Sequence, residues 1–122
     1  MAAGATILII AKEEIIAALM GALVELSGFR PLFPTADERP PEAITRARAR
    51  LILLDCEHEA ARQAEVYQRA DEAGSRVLLF SAARSARELE LFAGRWSRPS
   101  FALPIGPAEF QEHLAQALEA RR

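Results

Sequence analysis

Asp55 closes the run Arg50-Leu-Ile-Leu-Leu-Asp55, in which four apolar residues lead directly into a carboxylate. Glu57, His58 and Glu59 follow closely, and Cys56 is separated from Arg62 by five residues. Each spacing suggests a definable chemistry. A Cys-x5-Arg loop between a strand and a helix is the skeleton of a phosphatase site, with a thiolate nucleophile and a guanidinium fork for phosphate. Here the five intervening residues are Glu-His-Glu-Ala-Ala. They carry two acids and no glycine, so they neither shape an amide cradle nor attract an anion. Cys56 reads instead as a small buried thiol. Asp55, Glu57, His58 and Glu59 are metal-ligating types, but their spacing matches no known ligand pattern and reads as a solvated loop. Asp55 is the best placed of the group. A run with no polar alternation suits a strand covered on both faces. In open α/β sheets, ligands gather beyond the carboxyl ends of such strands.

The composition bounds what Asp55 can serve. The 122 residues suit one domain, residues 1–122, with 51% hydrophobic and 26% charged residues. A net charge of −2 gives no case for nucleic acid or an acidic membrane as a bulk partner. Arg46, Arg48 and Arg50 do not share a helical face and precede no helix-turn-helix, which sets DNA binding aside. One cysteine excludes an internal disulfide and fits a reducing, cytoplasmic setting. No stretch reaches the ~20 apolar residues of a membrane span, and no secretory leader is visible. The Ala- and Arg-rich style suggests a bacterial chain.

The elements that must position Asp55 alternate. Thr6–Ile10, Arg30–Phe33, Leu51–Leu54, Arg76–Phe80 and Ser100–Leu103 read as strands, being short, apolar and partly β-branched. Between and after them, helices are expected over Lys12–Leu26, Glu42–Arg48, Glu59–Ala73, Ser85–Phe92 and Pro107–Ala120. Gly28 and Gly74 stand as helix stops, Pro41 as a helix start, and Gly94–Pro99 as a connection. The first helix should face inward with Ile15, Ile16, Leu19, Met20, Leu23 and Leu26. The third should do so with Ala60, Ala64, Tyr67 and Ala70. His113, on the last helix, reads as exposed. Five strand-then-helix repeats imply a parallel sheet with right-handed crossovers and helices on both faces. The turn after the first strand, Ala11-Lys12-Glu13-Glu14, has no glycine and repels phosphate, so dinucleotide, P-loop and flavin binding are set aside.

The order of elements, an Asp ending the third strand, a Ser ending the fourth and a Pro after the fifth together resemble response-regulator receiver domains of the CheY-like type. The resemblance covers nearly the whole chain. It implies a three-layer flavodoxin-like fold with a five-stranded parallel sheet in order 2-1-3-4-5. It also implies a role in two-component or phosphorelay signalling. Asp55 falls on the phospho-acceptor position and Ser81 on the hydroxyl that contacts the phosphoryl group. Other positions depart from the family. The acidic pair that holds Mg²⁺ is replaced by Ala11 and Lys12, the lysine of the fifth strand by Leu103, and the aromatic switch residue by Ser100. The loop after the acceptor looks trimmed.

Phosphoryl transfer to a carboxylate depends on positioning and on neutralisation by metal and cation. Without the acidic pair, Mg²⁺ loses anchors. The resemblance therefore points to a pseudo-receiver that signals by protein contact, with no cofactor, no catalytic residue and no small-molecule substrate. Lys12 is expected to stand in for the ion by pairing with Asp55. The alternative is a working phospho-acceptor whose metal site is non-standard, with Glu13 swinging in. The family's partners and homodimers use the surface of the fourth helix, fifth strand and last helix. Here that surface is expected to include Arg84, Arg87, Glu88, Leu91, Arg95, Trp96 and Phe101, aromatic and arginine residues being frequent contact anchors.

Overall fold

Five short apolar runs alternating with amphipathic stretches bury themselves best side by side, with helices on both faces. The computed structural model describes residues 5–119. In chain order these form β1 (Thr6–Ile10), α1 (Glu14–Leu26), β2 (Arg30–Leu32), α2 (Pro40–Ala47) and β3 (Leu51–Asp55). A 3-10 turn at Glu59–Arg62 follows, then α3 (Ala64–Ala73), β4 (Arg76–Ser81), α4 (Ala86–Trp96), β5 (Ser100–Ala102) and α5 (Pro107–Glu119). The expected end of the last helix, Ala120, lies outside the described residues. Every strand pair is parallel and the order is β2-β1-β3-β4-β5. The alternation implied the parallel sheet, and the resemblance implied this flavodoxin-like order.

β3 lies in the middle, and all five of its residues are buried. Its side chains alternate between the two faces. Leu51 and Leu53 join Ile7, Ile9, Leu78 and Phe80 against Met20, Leu23 and Val24 of α1 and Phe110 and Leu114 of α5. Ile52 and Leu54 join Leu8, Ile10, Val77 and Leu79 against Ile44, Val66, Tyr67, Leu89 and Phe92 of α2, α3 and α4. At roughly 1.5–3 kcal/mol per buried aliphatic side chain, β3 is the chief apolar anchor of both layers.

The helices depart from expectation in instructive ways. α1 is rotated: Ile15, Leu19 and Leu26 are exposed, Ile15 to 75%, while Met20, Gly21, Leu23 and Val24 face inward. Gly21 is the reason. A Cβ there would meet the Phe33 ring at 3.0 Å, so the helix turns its smallest residue toward β2 and the chain just beyond it. α1 ends at Ser27, and Gly28 follows with φ +91. There the Phe29 N–H donates to the Val24 carbonyl and the Gly28 N–H to the Glu25 carbonyl, a Schellman ending. The helix expected over Glu59–Ala73 is broken at Gln63, whose extended backbone separates the 3-10 turn from α3. Ala64 is consequently exposed and Val66 takes the inward place. α4 runs on through Gly94 to Trp96, where Phe92 was the expected end, and Ser97 closes it in the left-handed region.

Candidate functional site at the carboxyl end of the sheet

Asp55 sits at the last position of β3, opposite Phe80 of β4. Its residue surface is 4% exposed. Both carboxylate oxygens are engaged by main chain: Oδ2 accepts the Lys12 N–H at 3.1 Å and Oδ1 accepts the Glu57 N–H at 2.9 Å. The expected Lys12–Asp55 ion pair is not formed; among the described residues Lys12 makes no ion pair within 4.0 Å. The turn after β1 instead brings its backbone over the acid, and the lysine side chain is exposed, its charge acting on Glu57 rather than pairing with Asp55. Glu13 is exposed and ends in no ion pair among the described residues. Ala11 and Leu103, both half-buried, pack against the α1–α5 side of the core and bring no oxygen or ammonium to the pocket.

The second half of the site was not anticipated. Glu57 reaches across to β4, and its Oε2 accepts the Ser81 hydroxyl at 2.9 Å and the Arg84 Nε–H at 2.9 Å. Ser81 is fully buried and its Oγ accepts the N–H groups of Ala83 and Arg84, each at 3.0 Å. The Arg84 guanidinium lies 4.9 Å from the centre of the Phe92 ring, a cation–π contact that steadies it. Burial pushes the Glu57 carboxyl up, but the Ser81 hydroxyl and the Arg84 charge outweigh it and hold the group below its ordinary value. Arg84, expected on a partner surface, is therefore part of this pocket.

The other candidates resolve as follows. Cys56 is fully buried beside β4, donating its N–H to the Phe80 carbonyl at 2.8 Å. Burial pushes its thiol up to about 12, with the Arg84 charge opposing, while Arg62 is exposed. A thiol held protonated does not act as a phosphate nucleophile. His58 Nδ1 accepts the Ala60 N–H at 3.0 Å and caps the 3-10 turn. Among the described residues no three His, Cys, Asp or Glu side chains converge as metal ligands.

Two residues of the expected partner face pack within the fold, Phe101 fully and Trp96 in part. Phe101 is 4% exposed, stacked between Phe80 and His113 and edge-on to Phe110. β5 pairs in register with β4, Phe80 against Phe101, which sends that ring into the α1–α5 layer. His113, expected to be exposed and unpartnered, is half-buried against it. Trp96 is half-buried too, its ring 4.3 Å from that of Tyr67 and 11° from parallel. Arg87, Glu88, Leu91 and Arg95 are exposed on α4; Leu91 is 64% exposed, and Glu88 completes a capping box with Ser85.

No family model matches the chain, and no curated protein matches it either. Solved structures do. A response regulator from Thermotoga maritima superposes with a TM-score of 0.71 at 16% identity, covering 96% of this chain and 99% of that one. A receiver domain of a modulated diguanylate cyclase from Desulfovibrio desulfuricans gives 0.69 at 17% identity, with 94% of each chain covered. A pilus-assembly-related protein from Burkholderia pseudomallei gives 0.74 at 18% identity, covering 97% of this chain and 92% of that one. The chain therefore has the flavodoxin-like α/β fold of CheY-like receiver domains.

Proposed function

We propose that this chain is a receiver-like domain of two-component or phosphorelay signalling, spanning residues 1–122, that works through protein contacts rather than ordinary Mg²⁺-dependent phosphorylation of Asp55. The observation that carries the reading is the state of the Asp55 carboxylate. Its two oxygens accept backbone N–H groups, and the neighbouring carboxylate, Glu57, is engaged by Ser81 and Arg84. Mg²⁺ takes about six oxygens in near-octahedral geometry and dehydrates reluctantly. Asp55 with Ala11 and Lys12 beside it does not fit that ion. Nor does the end of the fifth strand bring a lysine, since Leu103 is the residue just past it. The acid thus lacks the neutralising groups that phosphoryl transfer between two anions depends on.

The output surface of this reading is the face of α4, β5 and α5, in the cytoplasm of a bacterial cell, meeting a protein partner or a second copy. With Trp96 and Phe101 turned inward, its contact residues are Arg87, Leu91 and Arg95, with Glu88 at the helix start. No described helix is long and apolar enough to cross a membrane. Incubation with acetyl phosphate and Mg²⁺, followed by intact mass, tests the reading. The expected result is an unchanged mass. A stable adduct of ~80 Da, absent from Asp55→Asn, would overturn it and make the chain a phospho-acceptor with a non-standard metal site.

A further inference from the structure

We infer that the corner made by Ser81 and Arg84 is an oxyanion site which the chain fills with its own Glu57 carboxylate, fixing the loop between β4 and α4 in one position. This deepens the receiver-like reading and rests on it only in taking α4 as the surface a partner meets. The hydrogen-bond inventory makes the site specific. A hydroxyl has one proton and two lone pairs. Ala83 and Arg84 direct their N–H groups at the Ser81 oxygen, so the lone pairs are used and the proton is committed to Glu57. The Arg84 Nε–H arrives at the same carboxylate oxygen. A charged acceptor held by two converging donors, one of them cationic, is the geometry that binds a carboxylate or a phosphate.

Position gives the contact its consequence. Glu57 follows β3 and Ser81 ends β4, so one side chain ties the two loops together across 24 residues of sequence. Arg84 directly precedes Ser85, the residue that caps α4. The Glu57 N–H meanwhile holds Asp55. Glu57 therefore secures the acid with its backbone and the α4 loop with its side chain. An external anion must displace a tethered carboxylate whose effective concentration is high.

The test compares wild type with Glu57→Ala by amide NMR while sodium acetate, and separately inorganic phosphate, replaces chloride at constant ionic strength. In wild type the Ala83 and Arg84 amides should not move. In Glu57→Ala they should shift saturably with at least one of the two anions. Their hydrogen exchange should also be about tenfold faster than in wild type, as loss of a charge-assisted hydrogen bond implies, and the bound anion should slow it again. Wild-type amides that titrate as readily as the variant's would show the site unfilled and overturn the inference. So would a variant that binds neither anion and exchanges at the wild-type rate. Glu57→Ser, too short to reach Ser81 and Arg84, serves the same comparison should the alanine variant not fold. A phosphoryl adduct on Asp55 is read by mass, so failure of the receiver-like reading and failure of this one are separable.

Discussion

Replacing Trp96 with Ala tests whether the indole is a structural stack or a contact residue for partners. The ring lies 4.3 Å from that of Tyr67 at 11°, and it is half-buried at the end of α4. Truncating a fully buried aromatic to Ala costs about 3–5 kcal/mol. Half burial reduces that to about 2 kcal/mol, and aromatic stacking adds about 0.5–1.5 kcal/mol beyond area. The expected loss of unfolding free energy is therefore about 2.5–3.5 kcal/mol. Because Trp96 is the sole tryptophan, urea unfolding must be followed by far-UV circular dichroism rather than indole fluorescence. A double-mutant cycle with Tyr67→Leu should return a coupling of about 0.5–1.5 kcal/mol. A loss for Trp96→Ala below about 1 kcal/mol with no coupling would refute the assignment. The indole would then belong with Leu91 as an open contact residue.

Two further predictions concern ionisable groups. Cys56, fully buried and with its thiol pushed up to about 12, should react with a disulfide reagent at pH 8 far more slowly in the native protein than in urea; equal rates would place the thiol in solvent. Glu38 is depressed to about 2 by hydrogen bonds from Arg46 and the Thr35 backbone N–H, and Glu57 is also lowered, held by Ser81 and Arg84 against its burial. A carboxyl with a depressed folded value adds stability that is complete above its unfolded value of about 4.5 and is lost as pH falls through the folded one. The urea midpoint should thus drop below about pH 4.5, and Glu38→Gln should flatten that drop; a variant with the wild-type acid profile would refute the pairing.

How much of this was legible in the sequence depends on the range over which each signal acts. The five parallel strands could be read because they rest on local patterning, while their order came with the receiver-domain resemblance. Runs such as Ile7–Ile10 and Leu51–Leu54 are apolar throughout, as strands covered on both faces are. The crossover hand and alternation then leave few topologies. The rotation of α1 was not legible, because it is set by contact of Gly21 with Phe33, a packing relation that helical periodicity does not encode. Ile15, Leu19 and Leu26 have the spacing of a buried stripe and are nonetheless outside. α3 was misjudged for a related reason. The alanines after Cys56 favour helix as a composition, while the extended Gln63 that interrupts them is imposed by the turn.

The site divides along the same line. Asp55 and Ser81 could be placed because each ends an apolar run. Lys12 was assigned the wrong atom: proximity to Asp55 was right, but the short turn after β1 presents an N–H where an ammonium was expected. Backbone donors are invisible to a reading by residue type. Glu57 and Arg84 lie 27 residues apart and meet only because β3 and β4 pair with Asp55 against Phe80. That register supplies the signal that could have found them. In a parallel pair, residues just past the ends of adjacent strands emerge side by side. An acid two positions beyond one strand then faces a hydroxyl and an arginine at and just after the end of the next. Once the strand ends are aligned, opposite charges in a partly buried corner find each other because leaving either unpaired there would cost more than the loop's freedom is worth.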